Sequence, residues 1–200
     1  MQNNRANIRA IYQLASLTER VDGASWYRVA GSVAITLADR YEISETQAIG
    51  VIAALSPRNK WERNVQDADA LIAAYLAGGA EQARLTKVCT FGANKEKAIK
   101  VLTLSRAVGL DPVLEILRGP KLIEFASCIY GRSDCCIDGH AYCIWAGERT
   151  GLKDVPAIGI KLRRQIKADY AAVAAKLQIT PYELQAITWL AWRRLHGVTK

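Results

Sequence analysis

The chain has 200 residues, of which 50% are hydrophobic and 23% charged, and its formal net charge is +8. This length and composition exclude a disordered chain and predict a globular protein with a sizeable core. The sequence contains no run of about 18 apolar residues, so we expect no membrane span. The N-terminus lacks the charged-then-apolar order of a signal peptide. Five cysteines, an odd number, suit reduced thiols better than a disulfide framework, so we expect a cytoplasmic protein.

Apolar residues recur at helical spacing almost everywhere, which predicts an all-α fold. A first helix is expected over 5–20, a break at 21–23, where Gly23 stands, and a second helix over 25–41. Ser44 and Gln47 then form a capping box for a helix over 45–55.

Pro57 ends that helix, because the residue before a proline is pushed out of helical geometry. The next helix starts near Trp61 and ends at Gly78 and Gly79. Further helices are expected at about 80–85, 95–107, 111–117, 120–130, 139–150, 161–177 and 181–195. The last one opens with a second capping box, Thr180 to Glu183, and its Trp189 and Trp192 are expected to pack in the core.

Two residues suggest chemistry. Lys121 follows the turn 117–119, and Asp138 stands directly before the helix that starts at Gly139. A lysine amine can act as a nucleophile when a neighbouring carboxylate removes its proton. The structural alternatives are a solvated turn lysine and a helix N-cap worth about 1 kcal/mol.

Four segments match one pattern in order and spacing. They are Leu55–Asn59 (LSPRN), Phe91–Ala98 (FGANKEKA), Leu114–Lys121 (LEILRGPK) and Cys136–His140 (CIDGH). They resemble the LSxQ turn, the GxxxxKA helix, the hairpin with its catalytic lysine and the VDTH segment of the helix-hairpin-helix (HhH-GPD) DNA glycosylase superfamily, endonuclease III-like branch. A wider match, including Leu184–Trp189 (LQAITW), is to a divergent group of small phage and bacterial proteins.

The resemblance implies a two-lobed helical fold with a central lobe of residues 42–137 and a second lobe of residues 1–41 and 138–200. A cleft between the lobes is expected to contain Lys121 and Asp138. No iron–sulfur cluster is expected, because no cysteine follows Cys143. The resemblance further implies a monomer without a cofactor, in the cytoplasm of a bacterium or a phage-infected host cell.

The implied function is that of a DNA glycosylase, acting on a flipped modified or damaged base through Asp138, with Lys121 as a possible amine nucleophile and lyase residue. Two alternatives stay open: a transferase that modifies a DNA base on the same fold, and a DNA-binding module without chemistry. The hairpin departs from the family pattern, because Pro120 removes an amide that could hold a phosphate.

The excess of basic residues also favours a polyanionic partner. Basic residues concentrate in 87–100 and 149–167. The residues expected to contact DNA are Ser56, Arg58, Asn59, Lys60, Trp61, Asn94, Lys95, Gly119, His140, Arg149, Lys153, Lys161, Arg163 and Arg164. Cys136, His140 and Cys143 have i, i+4, i+7 spacing and could bind zinc from one face of a helix. This use is less favoured than packing in a buried apolar face, because no fourth ligand is evident.

Overall fold

The computed structural model describes residues 3–106, 109–132, 134–151 and 153–198. Every regular element within these ranges is an α-helix, which confirms the all-α prediction. The helices are α1 (Asn4–Leu14), α2 (Leu17–Tyr41), α3 (Glu45–Leu55), α4 (Trp61–Leu85), α5 (Gly92–Leu102), α6 (Leu110–Leu117), α7 (Pro120–Ile129), α8 (Gly139–Ala146), α9 (Ile160–Leu177) and α10 (Pro181–Leu195). Among the described residues, none of these helices has the length and apolarity that crossing a bilayer requires.

The chain divides into two compact units. The terminal unit contains residues 1–28 and 131–200, and the central unit contains residues 29–130. Residues 29–41 were expected in the second lobe but belong to the central unit, and residues 131–137 were expected in the central lobe but belong to the terminal unit. The first difference arises because α2 runs without interruption and supplies helix to both units. The second arises because the segment that precedes α8 packs into the core of the terminal unit.

The expected break at 21–23 is wrong, because α2 passes straight through it. Gly23 is buried, and a Cβ placed on it would lie 2.6 Å from the Cα of Ile187. Glycine at this position therefore allows α2 and α10 to approach closely within the terminal unit. It is a packing residue rather than a helix breaker.

The central unit is built around α3. Ser44 and Gln47 form the predicted capping box, and every residue from Thr46 to Leu55 is buried. Helices α4, α5, α6 and α7 all pack against α3. A Cβ on Gly50 would lie 2.5 Å from Val113 Cγ1, so a larger residue would overpack the contact between α3 and α6.

The terminal unit packs α1, α8, α9 and α10 around an apolar core. Fully buried side chains in this core include Ile8, Ile137, Ile166 and Leu184. The predicted capping box that starts α10 is present. Trp192 is buried as expected, whereas Trp189 is only half-buried.

Several helix ends differ from the expected ones. Helix α5 begins at Gly92 and ends at Leu102, and its expected end at Ala107 lies outside the described residues. Helix α8 ends at Ala146, because Gly147 takes a left-handed conformation with φ 79°. The predicted break in α4 is confirmed, since Gly78 and Gly79 have non-helical backbone angles.

Candidate functional site

Asp138 forms the N-cap of α8. Its Oδ1 accepts a hydrogen bond of 2.9 Å from the backbone N–H of Ala141. Within the described part of the chain, Oδ2 has no hydrogen-bond partner, and the residue is half-buried. The carboxylate also lies at the positive end of the α8 dipole, which favours an anion. Capping therefore uses one oxygen and leaves the other able to meet a substrate.

One face of α9 holds the segment that leads into Asp138. Arg163, Lys167 and Tyr170 stand at i, i+4 and i+7, so they share this face. Arg163 Nη1 donates to the carbonyl of Ile137 at 2.8 Å, and Lys167 Nζ lies 2.5 Å from Asp134 Oδ1. These two bonds fix both ends of the segment, so the position of the carboxylate is defined before any ligand arrives.

Tyr170 is fully buried behind this segment. No described group meets its hydroxyl with hydrogen-bond geometry. Burial raises the pKa of Tyr170 well above its usual range, and the neighbouring Cys135 and Asp138 add to the rise, whereas Thr188 opposes it. A neutral phenol thus lies buried near Asp138, with the Thr188 side chain as the neighbour that offsets part of the rise.

The turn between α3 and α4 is organised by a second aspartate, Asp67, which is only 3% exposed. Its carboxylate accepts hydrogen bonds from Arg63 Nε at 2.8 Å, the N–H of Cys89 at 2.7 Å and Asn59 Nδ2 at 2.9 Å. Burial alone would raise the pKa of Asp67, but these donors outweigh it and lower the pKa below its ordinary value. Asp67 thereby ties the turn to the segment before α5.

Asn59 also donates to the carbonyl of Leu55 at 3.3 Å. Both bonds direct its amide nitrogen into the protein. We expected Asn59 to contact DNA, but its amide nitrogen holds the turn in place. Ser56 is directed inward as well, because its hydroxyl donates to the carbonyl of Ala53 at 2.9 Å.

Arg58 lies at the tip of the same turn and is exposed. Its φ of 59° is left-handed, which is uncommon for a residue with a side chain. Its guanidinium lies 5.0 Å from the centre of the Phe91 ring, and Phe91 is 50% exposed at the N-cap of α5. The turn therefore presents a cation stacked on an aromatic ring, beside exposed Lys60 and half-buried Trp61.

The connection between α6 and α7 consists of two residues, Arg118 and Gly119, with φ of 38° and 105°. Pro120 is the first residue of α7, so this position offers no amide. Lys97 Nζ donates to the carbonyl of Arg118 at 3.0 Å. Lys121 is exposed, whereas lysine nucleophiles are commonly activated by desolvation. It belongs to the central unit and Asp138 to the terminal unit, so their pairing stays a prediction.

The basic residues expected to bind DNA fall into two groups. Lys95 is used within the protein, since its Nζ donates to the carbonyls of Arg84 and Thr86. Arg163 is likewise used on Ile137. The exposed members of the predicted set are Arg58, Lys60, Arg149, Lys153, Lys161 and Arg164. Asn94 and His140 are half-buried, and Gly119 is exposed.

The zinc alternative assumed that Cys136, His140 and Cys143 share one helix. That assumption is wrong, because α8 starts only at Gly139. Cys143 instead directs its thiol to the carbonyl of Thr150 at 3.6 Å. Among the described residues, no three His, Cys, Asp or Glu side chains converge as a metal ion requires.

A family model described as "Family of unknown function (DUF7178)" matches residues 1–196. The chain belongs to this family. No curated protein and no solved structure matches it. The family match spans both units, so the site features described above all lie within the DUF7178 region.

Sequence reasoning missed Asp67 and Tyr170 in this DUF7178 chain. Asp67 and Asn64 are polar residues on the otherwise apolar face of α4, and both are buried. A polar residue on a predicted core face was a usable signal for Asp67. Tyr170 looked like ordinary core, since an unpartnered hydroxyl is visible only once the packing is known.

Proposed function

We propose that this protein binds DNA and acts on an extruded base through Asp138, as a glycosylase of the helix-hairpin-helix type does. The observation that carries the proposal is the uncommitted Oδ2 of a half-buried carboxylate whose other oxygen is fixed by Ala141. A base or nucleophile-activating group needs such a free oxygen in a defined place.

The surrounding features support a nucleic-acid substrate. The chain carries a net charge of +8, and Lys153, Lys161 and Arg164 are exposed along the sequence that follows α8. Exposed cations of this kind neutralise phosphates and make binding fall steeply with salt. The short turn between α6 and α7 agrees with a shortened hairpin of the superfamily.

In the hydrolytic route, Asp138 Oδ2 takes a proton from a water molecule, and the water oxygen forms a bond to C1′ of the sugar. The bond from C1′ to the base nitrogen breaks with its electron pair on the base, which then takes up a proton. General-base assistance of this kind contributes about 10²–10⁴-fold to the rate. Extruding the base costs a few kcal/mol, which a side chain such as Arg58 at the emptied position offsets in part.

In the lyase route, the Lys121 amine replaces water. Asp138 accepts a proton from the ammonium, the amine nitrogen bonds to C1′, and the base leaves with the bonding electrons. The nitrogen then loses a further proton and forms a double bond to C1′ as the C1′–O4′ bond of the sugar ring breaks and O4′ takes up a proton, which gives a Schiff base between lysine and the opened sugar. The two routes differ only in the nucleophile, so they predict different trapped products.

Borohydride reduction in the presence of duplex DNA with one abasic site separates the routes. A covalent adduct that disappears in Lys121→Ala supports the lyase route. Without an adduct, base release from duplexes that carry uracil, 8-oxoguanine or 5-hydroxymethyluracil should be lost in Asp138→Asn. Asn is as good an N-cap as Asp, so this variant keeps the helix start. Binding without an adduct or a released base on any of these duplexes would leave only a DNA-binding module.

A further inference from the structure

Helix α10 carries a partly exposed aromatic face in the terminal unit. Tyr182, Gln185 and Trp189 stand three and four residues apart, so they lie on one side of the helix. Trp26 and Tyr27 of α2 pack against this side. The ring centres of Trp26 and Trp189 are 6.1 Å apart at 69°, and those of Tyr27 and Tyr182 are 5.9 Å apart at 85°. These five residues are called the Gln185 patch below.

Gln185 is an unusual residue for the middle of such a face, because it is only 6% exposed. Its Oε1 accepts a hydrogen bond of 2.8 Å from the hydroxyl of Tyr27. In the described part of the chain, no acceptor bonds its Nε2. Gln185 Nε2 is not among the buried side-chain atoms that lack a partner, so this end of the amide keeps contact with solvent. The bond from Tyr27 thus orients the amide, with its donor end ready for an acceptor from outside the protein.

Trp189 supplies a flat surface next to this amide. The indole is half-buried, and the guanidinium of Arg193 lies 4.5 Å from its ring centre. Aromatic rings beside a cation are what proteins use to stack nucleobases, and each stack is worth about 1–3 kcal/mol. The positive charge of Arg193 also favours a ligand that carries phosphates.

The patch and Asp138 belong to the same unit. Thr188 follows Gln185 by one turn of α10, and its hydroxyl donates to the carbonyl of Leu184 at 2.8 Å. Tyr170 lies near both Thr188 and Asp138, since each of them acts on the pKa of its phenol. Helix α8, which Asp138 caps, packs against α10, so the patch and the reactive carboxylate belong to neighbouring helices of one unit.

We infer that the Gln185 patch binds the nucleobase on which the protein acts, with Trp189 stacking on it and Gln185 Nε2 donating to a ring nitrogen or carbonyl oxygen at its edge. This assignment rests on the proposed function, since it presumes a DNA substrate. It selects bases that present an acceptor to the amide, and it makes Tyr27 a positioning residue that sets the direction of that donor.

The test uses a single strand whose central nucleotide is 2-aminopurine and whose other positions are abasic tetrahydrofuran sites. The lone base has no neighbours to stack on, so quenching of its fluorescence reports stacking on the protein. Wild-type protein should quench it on binding. Trp189→Leu should remove the quenching and weaken binding about tenfold, the size expected for one lost stack. Affinity for a fully abasic strand should not change.

Gln185→Glu tests the donor alone. It keeps an acceptor for Tyr27 but replaces the donating nitrogen with an oxygen. The preference for the 2-aminopurine strand over the abasic strand should fall about tenfold, whereas charge repulsion would weaken both strands equally. Trp189→Phe should retain most of the quenching, and Tyr142→Leu, a half-buried aromatic of α8 outside the patch, should match wild type. Melting temperatures show whether each variant is folded.

Unchanged quenching and strand preference in folded Trp189→Leu and Gln185→Glu proteins would overturn the assignment. The proposed function would still stand in that case if base release depends on Asp138. Conversely, loss of the base-dependent signal in both variants, together with no base release from any duplex, would support the patch and contradict the chemistry.

Discussion

Asp67 in the central unit and Asp138 in the terminal unit are two carboxylates that differ in the number of hydrogen bonds they accept and in their exposure. Asp67 accepts bonds from Arg63, Cys89 and Asn59, and almost none of its surface is exposed. Asp138 accepts one bond, from Ala141, and is half-buried. The comparison indicates that the saturated carboxylate holds two segments together, whereas the half-used one can take part in chemistry.

Asp67→Ala should give the largest loss of stability. It leaves the N–H of Cys89 without its acceptor and Asn59 Nδ2 with only the carbonyl of Leu55, which should lower the free energy of unfolding by about 1–3 kcal/mol. Urea denaturation checks the value. Asp69→Ala is the matched control, since its partners Arg40 and Tyr41 are both open to solvent and the loss should be clearly smaller. Equal losses in the two variants would contradict a structural role for Asp67.

The stabilisation from Asp67 should also depend on pH. Its pKa is lowered in the folded protein, so its contribution is present above the unfolded value of about 4 and is lost as pH falls through the folded pKa. The difference in unfolding free energy between wild type and Asp67→Asn should therefore shrink in acid. A difference that stays constant from neutral pH down to about pH 2 would show that the charge of Asp67 is not what stabilises the turn.

Tyr170→Phe should have a smaller effect on stability, in the opposite direction. It removes a buried hydroxyl without a partner among the described residues, so the free energy of unfolding should stay the same or rise by about 1 kcal/mol. Because burial raises the pKa of Tyr170, its contribution is present below about pH 10 and is lost as pH rises further. The Tyr170→Phe variant should lack the part of the fall in unfolding free energy at high pH that comes from the ionisation of Tyr170. A clear destabilisation at neutral pH would mean that the hydroxyl has a structural partner.

Arg58→Ala should have the smallest effect on the free energy of unfolding and should leave folding intact. It removes an exposed cation from the tip of the turn, so DNA affinity should fall several-fold and the slope of log affinity against log salt should decrease by about one. Anisotropy titrations at several salt concentrations measure both. Arg84→Ala, whose guanidinium pairs with Glu96, is the control and should bind as wild type does.

Local signals predicted much of the fold. The two capping boxes mark helix starts that depend on neighbouring residues, and α3 and α10 have the expected bounds. The reason given for the end of α3 is wrong, because Ser56 keeps right-handed helical angles (φ −68°, ψ −28°) before Pro57. Gly23 misled the prediction because its role is set by Ile187, which is distant in the chain. A close approach between two helices leaves no local pattern.

The sequence predicted only part of the candidate site, because several of its contacts join residues that are distant in the chain. The N-cap position of Asp138 follows from its local sequence, and the structure shows it. The inward bonds of Asn59 and Arg163 depend on partners 8 and 26 residues away, so their residue types alone favoured DNA contact. The orientation of Gln185 by Tyr27 spans 158 residues, which no spacing rule reaches.

Base release by Asp138→Asn and Asp67→Asn, each compared with wild type on the same modified duplex, tests the contrast between the two carboxylates most directly. The account predicts that Asp138→Asn lowers the rate about 10²–10⁴-fold with an unchanged unfolding free energy. It predicts that Asp67→Asn lowers the unfolding free energy and leaves the rate of the folded fraction within a few-fold of wild type. Full base release by folded Asp138→Asn protein would contradict the account.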